Sequence, residues 1–224
     1  KHGISWTFHM EKNKIIIIPT FNELRSIKKV IKDCPNNWNI LVVDDASSDG
    51  TNLWLKKKRI TFLLNKKNLG YEKSLIKGFK KVIRNRKIRY LATIDADGEH
   101  NPKYLKKMID HISKKNLDMV ISERNSYNRF SEALVGKIFK LKYGIKDPLS
   151  GYKIYKVSAL KKIIKNIKTN SFLVDIICKF NSLSKKLGVI NSQSRQRVFG
   201  RPKVGFNFFV NVKIILLIRL IFLG

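Results

Sequence analysis

One stretch, LATIDADGEH at residues 91–100, constrains the chain more than any other. Residues 90–94 form an apolar run that reads as a buried strand, and it ends abruptly in three acids, Asp95, Asp97 and Glu99. In open α/β sheets the carboxyl ends of buried strands are where ligand sites lie. The spacing of two puts these acids on one face if the strand continues, and a loop lets them converge on one ion. Clustered carboxylate oxygens suit Mg2+ or Mn2+ rather than a soft metal. A strand followed by a polar turn fits equally well, because Asp97-Gly98 is turn chemistry.

The rest of the chain supplies a sheet for that strand. Residues 14–18 are a β-branched run of the kind buried on both faces of a parallel sheet, with Pro19 expected to end it. Asn22 is placed to cap a helix carrying Leu24, Ile27, Val30 and Ile31. Further strands are expected at 39–43, 60–64, 90–94 and 118–122. Between them, helices start at Tyr71 and Pro102. This alternation predicts an α/β fold with a mainly parallel sheet flanked by helices. After it come a helix at 132–143, a loop and short strand in KDPLSGYKIYK, a helix at 159–168 capped by Ser158, a helix at 171–187 and a strand at 188–194.

The chain of 224 residues fits one domain, expected at 10–203. Met10 reads as a natural start, so residues 1–9 are set aside as a non-native remnant or an extension. The formal charge of +31 raises the possibility of nucleic acid, phosphorylated lipid or a membrane as partner. Most lysines fall on helix faces without aromatic interleaving, and no nucleic-acid motif occurs, so nucleic acid is not expected. The acids are more telling. Of 16, eight lie in strand-end or loop motifs: Glu23, Asp44, Asp45, Asp49, Asp95, Asp97, Glu99 and Asp147. Cys34 and Cys178 have no metal-ligand spacing, and reduced thiols are the default. Residues 1–14 lack an apolar core, so no signal peptide is expected. Residues 204–224 carry only Lys213 and Arg219 as charges, about 240° apart on a helical wheel. An apolar C-terminal helix lying at or entering a membrane is expected there.

Three strand ends therefore carry polar loops, PTFNE, DDASSDGT and DADGEH, and a parallel sheet sets all three on one edge. Asp45 can accept hydrogens from a nucleobase or ribose, and the DADGEH acids can hold a cation that bridges a diphosphate. Neither a Gly-x-Gly-x-x-Gly nor a Walker loop is present to cradle phosphate, which leaves that role to a metal.

The ordered motifs IIIIPTFNE, VVDDASSDGT, NLGYEKSLIKGFK, IDADGEH and DPLSGYKIY resemble those of family-2 inverting glycosyltransferases of the GT-A (Rossmann-like) fold. Within that family the likeness is nearest to polyprenyl-phosphate glycosyltransferases of the dolichol-phosphate mannose synthase type. It covers residues 14–156 and extends weakly to Lys203. The resemblance implies that Pro19, Phe21 and Glu23 contact the nucleotide, with Phe21 lacking the hydroxyl of the usual Tyr. Val43 and Asp45 match base-recognition positions. Asp95, Ala96 and Asp97 match the Asp-x-Asp motif that holds metal and diphosphate. Glu99 stands where Gln is usual, as a further metal or phosphate contact. Arg124 matches an Arg that touches the donor, and Arg197 and Lys203 match phosphate-binding residues, although Pro202 replaces the usual Ser.

The implied activity is metal-dependent displacement at a sugar's anomeric carbon. The donor is a GDP- or UDP-sugar, Mg2+ or Mn2+ assists, and the expected acceptor is polyprenyl phosphate at the cytoplasmic face of a membrane. An anionic acceptor needs no general base, whereas a glycan hydroxyl does. Asp97 is the expected catalytic acid-loop residue, and Asp147 is the candidate base, with a structural loop-capping role as its competing reading. His100 is expected beside the turn rather than as a ligand. Trp38, Trp54 and Cys178 are expected in packing, and His111 at the surface. A nucleotidyltransferase ranks lower, because its Gly-rich loop is missing.

Overall fold

The computed structural model describes residues 12–125, 130–164, 167 and 172–197. Residues 1–9, Lys203 and the apolar stretch 204–224 lie outside them. The elements run β1 (Lys14–Thr20), α1 (Leu24–Asp33), β2 (Asn39–Asp44), α2 (Thr51–Lys57), β3 (Phe62–Leu64), α3 (Tyr71–Val82) and β4 (Tyr90–Thr93). They continue α4 (Tyr104–Lys114), β5 (Met119–Arg124), α5 (Phe130–Tyr143), β6 (Lys153–Lys156), α6 (Val157–Ile163), α7 (Phe172–Ser182) and β7 (Leu187–Ser192).

All seven strands form one sheet in the order β3-β2-β1-β4-β6-β5-β7. Its centre is the isoleucine run. Ile15 and Ile17 face a core with Leu75, Phe79, Phe139 and Phe180. Ile16 and Ile18 face the opposite core with Ile27, Leu105 and Met108. All four are fully buried, as expected of a strand covered on both sides. At about 1.5–3 kcal/mol per buried side chain, this run is a main anchor of the fold. Gly78 lets α3 sit down on the sheet, since a Cβ there meets Ile17 and Val43 at 3.0–3.1 Å.

The sheet is mainly parallel, with one reversal. β6 runs antiparallel to both neighbours, β4 and β5. Lys153, the first residue of β6, pairs with Thr93, the last of β4. The loop before β6, DPLSG, is thereby delivered to the same edge as the loops that follow β1, β2 and β4.

Several local expectations need correction. Pro19 does not end β1, which continues to Thr20. Pairing with β4 stops at Ile17, so the missing Pro19 N–H faces a side where no strand needs it. Asn22 does not cap α1. It sits at φ +52°, and Asp49 Oδ2 takes the Leu24 N–H instead at 2.8 Å. Ser158 lies within the first turn of α6, whose cap position is Lys156. α7 stops at Ser182 rather than 187, because Ser184 turns left-handed at φ +50° and Lys185 N–H closes onto Phe180 O at 2.9 Å. Among the described residues, no helix is long and apolar enough to cross a membrane.

Candidate active site

The edge is assembled by side chains that clip one loop to another. Asn22 N–H donates to Ser47 Oγ at 2.9 Å, and Asn22 Oδ1 accepts from Ser48 N–H at 2.7 Å. Asp49 joins the starts of two helices, taking Leu24 N–H with one oxygen and the Thr51 N–H and hydroxyl with the other. Partial burial pulls the Asp49 carboxyl up. The hydrogen bonds from Thr51 and Leu24 outweigh it and set it below the usual range. Asp44 is fully buried. Its Oδ1 takes Ser47 N–H at 3.0 Å, and its Oδ2 has no hydrogen-bond partner among the described residues.

Asp45 is also buried and heavily engaged. It accepts from Asn65 Nδ2 at 2.7 Å, Leu69 N–H at 2.8 Å and Gly70 N–H at 2.8 Å. A carboxylate offers roughly four acceptor positions, so one is left for a ligand. Its visible work is to shape the loop between β3 and α3. Val43 lies inside β2 with its side chain in the core. Pro19 is buried and Phe21 partly so.

The DADGEH loop splits its acids between two sets of partners. Ala96 is 4% exposed and packs into the core, which turns Asp95 and Asp97 outward. Asp95 Oδ1 accepts from the Tyr71 hydroxyl at 2.7 Å. Asp95 N–H donates to His100 Nδ1 at 3.1 Å, and Oδ2 lies 3.7 Å from His100 Nε2. His100 stacks on Tyr152 with centroids 5.1 Å apart. It therefore orients Asp95, a role in keeping with a residue beside the turn. Tyr71 is 36% exposed, but its hydroxyl is turned onto Asp95; burial, then the Asp95 charge, push it well above the usual tyrosine range. Gly151 closes this corner. A Cβ there lies 2.6 Å from the Tyr71 hydroxyl and 2.7 and 2.8 Å from the Asp95 oxygens.

Asp97 and Glu99 meet an arginine. Arg197 Nη2 donates to Asp97 Oδ2 at 2.8 Å and Nε to Glu99 Oε1 at 3.2 Å, while Nη1 lies 3.5 Å from Glu23 Oε1. Arg197, expected on phosphates, is thus held by three of the expected site acids. No three His, Cys, Asp or Glu side chains among the described residues converge as a metal site. The donor set still fits Mg2+ or Mn2+ chemically, because Asp95, Asp97 and Glu99 offer only hard oxygens from one loop.

Arg124 and Asp147 occupy each other. Arg124 Nε and Nη2 grip Asp147 Oδ2 and Oδ1 at 2.7 and 3.1 Å, and Nη2 reaches Glu132 Oε2 at 3.3 Å. Burial pulls the guanidinium pKa down, but the Asp147 hydrogen bond and charge, with Glu132, carry it upward on balance. Beside them Glu123 accepts from Lys146 N–H; burial raises its carboxyl despite that bond.

Two residues not expected at the site, Tyr71 and Lys153, complete the edge. Lys153 is fully buried, and its ammonium donates to the carbonyls of Pro148 and Ser150. Burial lowers it to about 7, against the pull of Asp147 and Asp95. Tyr71 had only its place in the NLGY motif as a signal, and Lys153 was hidden among the many lysines. Trp38 and Trp54 are packing residues with Lys14 and Lys28 over their rings. Cys178 is partly buried against the core.

The sequence matches the model of glycosyl transferase family 2 over residues 15–164. The chain belongs to that family. One relative, the uncharacterized protein MJ1222 of Methanocaldococcus jannaschii, is 30% identical over 78% of this chain and 76% of its own. The undecaprenyl-phosphate mannosyltransferase of Micrococcus luteus is 26% identical over 85% and 86%. Among solved structures, the glucosyl-3-phosphoglycerate synthase of Mycobacterium tuberculosis, crystallised with Mn2+ and UDP-glucose, superposes with a TM-score of 0.70. It is 16% identical and the match covers 98% of this chain and 83% of that one. That likeness speaks for the GT-A-like fold alone. As a family-2 member, the protein is a glycosyltransferase.

Proposed function

We propose that this glycosyltransferase moves a sugar from a GDP- or UDP-sugar to polyprenyl phosphate at the cytoplasmic face of a membrane, inverting the anomeric centre, with Mg2+ or Mn2+ as cofactor. The observation that carries the reading is the set of carboxylates at one sheet edge. Glu23 follows β1, Asp45 follows β2, and Asp95, Asp97 and Glu99 follow β4. The relative named for undecaprenyl phosphate and the apolar stretch 204–224 support the lipid acceptor.

In this reading Asp45 shapes the base pocket through Leu69 and Gly70, with its remaining acceptor position toward the nucleobase. Asp95, Asp97 and Glu99 would hold a divalent cation, which would supply positive charge to a diphosphate leaving group. Tyr71, His100 and Gly151 fix Asp95 for that purpose. An acceptor phosphate oxygen forms the new bond to the anomeric carbon, and the nucleoside diphosphate leaves with the electron pair of the old one. Asp147 is clamped by Arg124, which favours an acceptor that is already an anion and needs no base.

The test is nucleotide release from GDP- and UDP-sugars, with polyprenyl phosphate or a saccharide as acceptor, with and without Mn2+. Expected is Mn2+-dependent release with the lipid phosphate, reduced at least 100-fold in Asp97→Ala. Release with the saccharide alone overturns the acceptor, and undiminished activity in the variant overturns the role of Asp97.

A further inference from the structure

The segment after β7 crosses the acidic edge as a strap bolted at several points. Gln193 N–H donates to the Tyr104 hydroxyl at 3.2 Å, and Arg195 N–H to Glu99 O at 2.9 Å. The Arg195 guanidinium holds Asp33 Oδ2 and Asn101 Oδ1, both at 2.6 Å. These contacts tie the strap to α1, to the start of α4 and to the DADGEH loop itself. Two residues on, Arg197 reaches Asp97, Glu99 and Glu23.

One guanidinium among three carboxylates balances charges that otherwise repel one another. It does so on Asp97 Oδ2 and Glu99 Oε1, hard oxygens of the two carboxylates a cation in this loop would use, so the two positive charges compete for them. The contact is also exchangeable. Arg197 is 19% exposed, and two of its three contacts, to Glu99 and Glu23, are 3.2 and 3.5 Å long. Arg195, with two short bonds, stays where it is.

We propose that residues 193–197 form a strap in which Arg195 is the positioning anchor and Arg197 holds the cation's place on Asp97 and Glu99 until nucleotide arrives. The proposal rests on the glycosyltransferase reading above. A nucleoside diphosphate gives the guanidinium a bidentate partner and frees both carboxylates. Cation and nucleotide then each release the same contact, so each strengthens binding of the other.

The test uses the whole chain. Mn2+ affinity is read from the free-ion electron paramagnetic resonance signal, and affinity for UDP and GDP by calorimetry at fixed Mn2+. Without nucleotide, Arg197→Gln is expected to bind Mn2+ about tenfold more tightly than wild type, because a bound positive charge has been removed from its ligands. The same variant is expected to bind nucleoside diphosphate at least fivefold more weakly. Arg195→Gln shifts Mn2+ binding in the same direction by a smaller factor, and Arg197→Lys, which keeps the charge but not the fork, falls between wild type and Arg197→Gln. Far-ultraviolet circular dichroism confirms that the variants are folded, and Arg195→Gln decides the question if Arg197→Gln is not. Unchanged or weakened Mn2+ binding in the folded glutamine variants overturns the strap. If neither wild type nor variant binds Mn2+ or either nucleotide, the proposed function itself falls.

Discussion

Replacing Lys153 with Met isolates what a buried ammonium does to this fold. The lysine is fully buried and lowered from 10.5 to about 7. An unfolded chain binds that proton up to pH 10.5, whereas the folded chain releases it above about 7, so the unfolded state holds more protons throughout that window. Wild-type stability contributed by this group therefore rises with pH across the window and falls as pH drops toward 7. At about 1.36 kcal/mol per unit, the lysine weakens the fold by about 4 kcal/mol at pH 7 and by about 2 kcal/mol at pH 9. Methionine removes that term but leaves the Pro148 and Ser150 carbonyls without their donor, at about 1–3 kcal/mol each. Near pH 7 the two effects largely cancel. At pH 9 the variant falls behind wild type by about 2 kcal/mol more than at pH 7. Urea unfolding of both proteins at the two pH values measures that difference, with all other titrating groups common to both. A stability difference that does not change with pH refutes the reasoning.

Three further substitutions probe the edge. Gly151→Ala forces a methyl against the Tyr71 hydroxyl and both Asp95 oxygens; we expect a loss of about 1–3 kcal/mol in urea unfolding and at least tenfold in nucleotide release, partly restored by adding Tyr71→Phe. Asp45→Ala strips acceptors from Asn65, Leu69 and Gly70, so stability should fall by about 3 kcal/mol, with faster hydrogen exchange at the Leu69 and Gly70 amides. Arg124→Met leaves Asp147 buried without its guanidinium; a loss of about 3–5 kcal/mol is expected at pH 7, most of it regained when Asp147→Leu is added.

The half of the fold that the sequence revealed is the half governed by burial. The isoleucines of β1 are legible because a strand covered on both faces permits no polar alternation, and α3 is legible through Leu75, Phe79 and Val82. Strand direction is different. KIYK in β6 presents the same residues to each face whichever way it runs, so nothing in its pattern announces the reversal between β4 and β5. That reversal matters most for the site, because it brings Gly151 against Asp95. Pro19 misled for a related reason: its effect depends on which neighbour its nitrogen faces, a property of pairing rather than of local sequence.

The site acids were legible for the opposite reason, scarcity. In a chain with 47 basic and 16 acidic residues, carboxylates gathered at strand ends stand out, whereas the cations that answer them do not. The structure shows which cations those are. Arg124 takes Asp147 and Glu132, Arg195 takes Asp33, and Arg197 takes Glu23, Asp97 and Glu99. Despite the abundance of lysine, all of these partners are arginines. A planar fork can grip Asp147 through two nitrogens or span carboxylates on two loops at once, which a point charge on a flexible stem does less well. The surrounding lysines set the general potential, and the arginines set the geometry. Among the described residues, Asp95 alone of the DADGEH acids has no arginine partner. Its oxygens instead face Tyr71, His100 and Gly151, so a hydroxyl, an imidazole and a bare stretch of backbone set its position where a guanidinium sets that of its two neighbours.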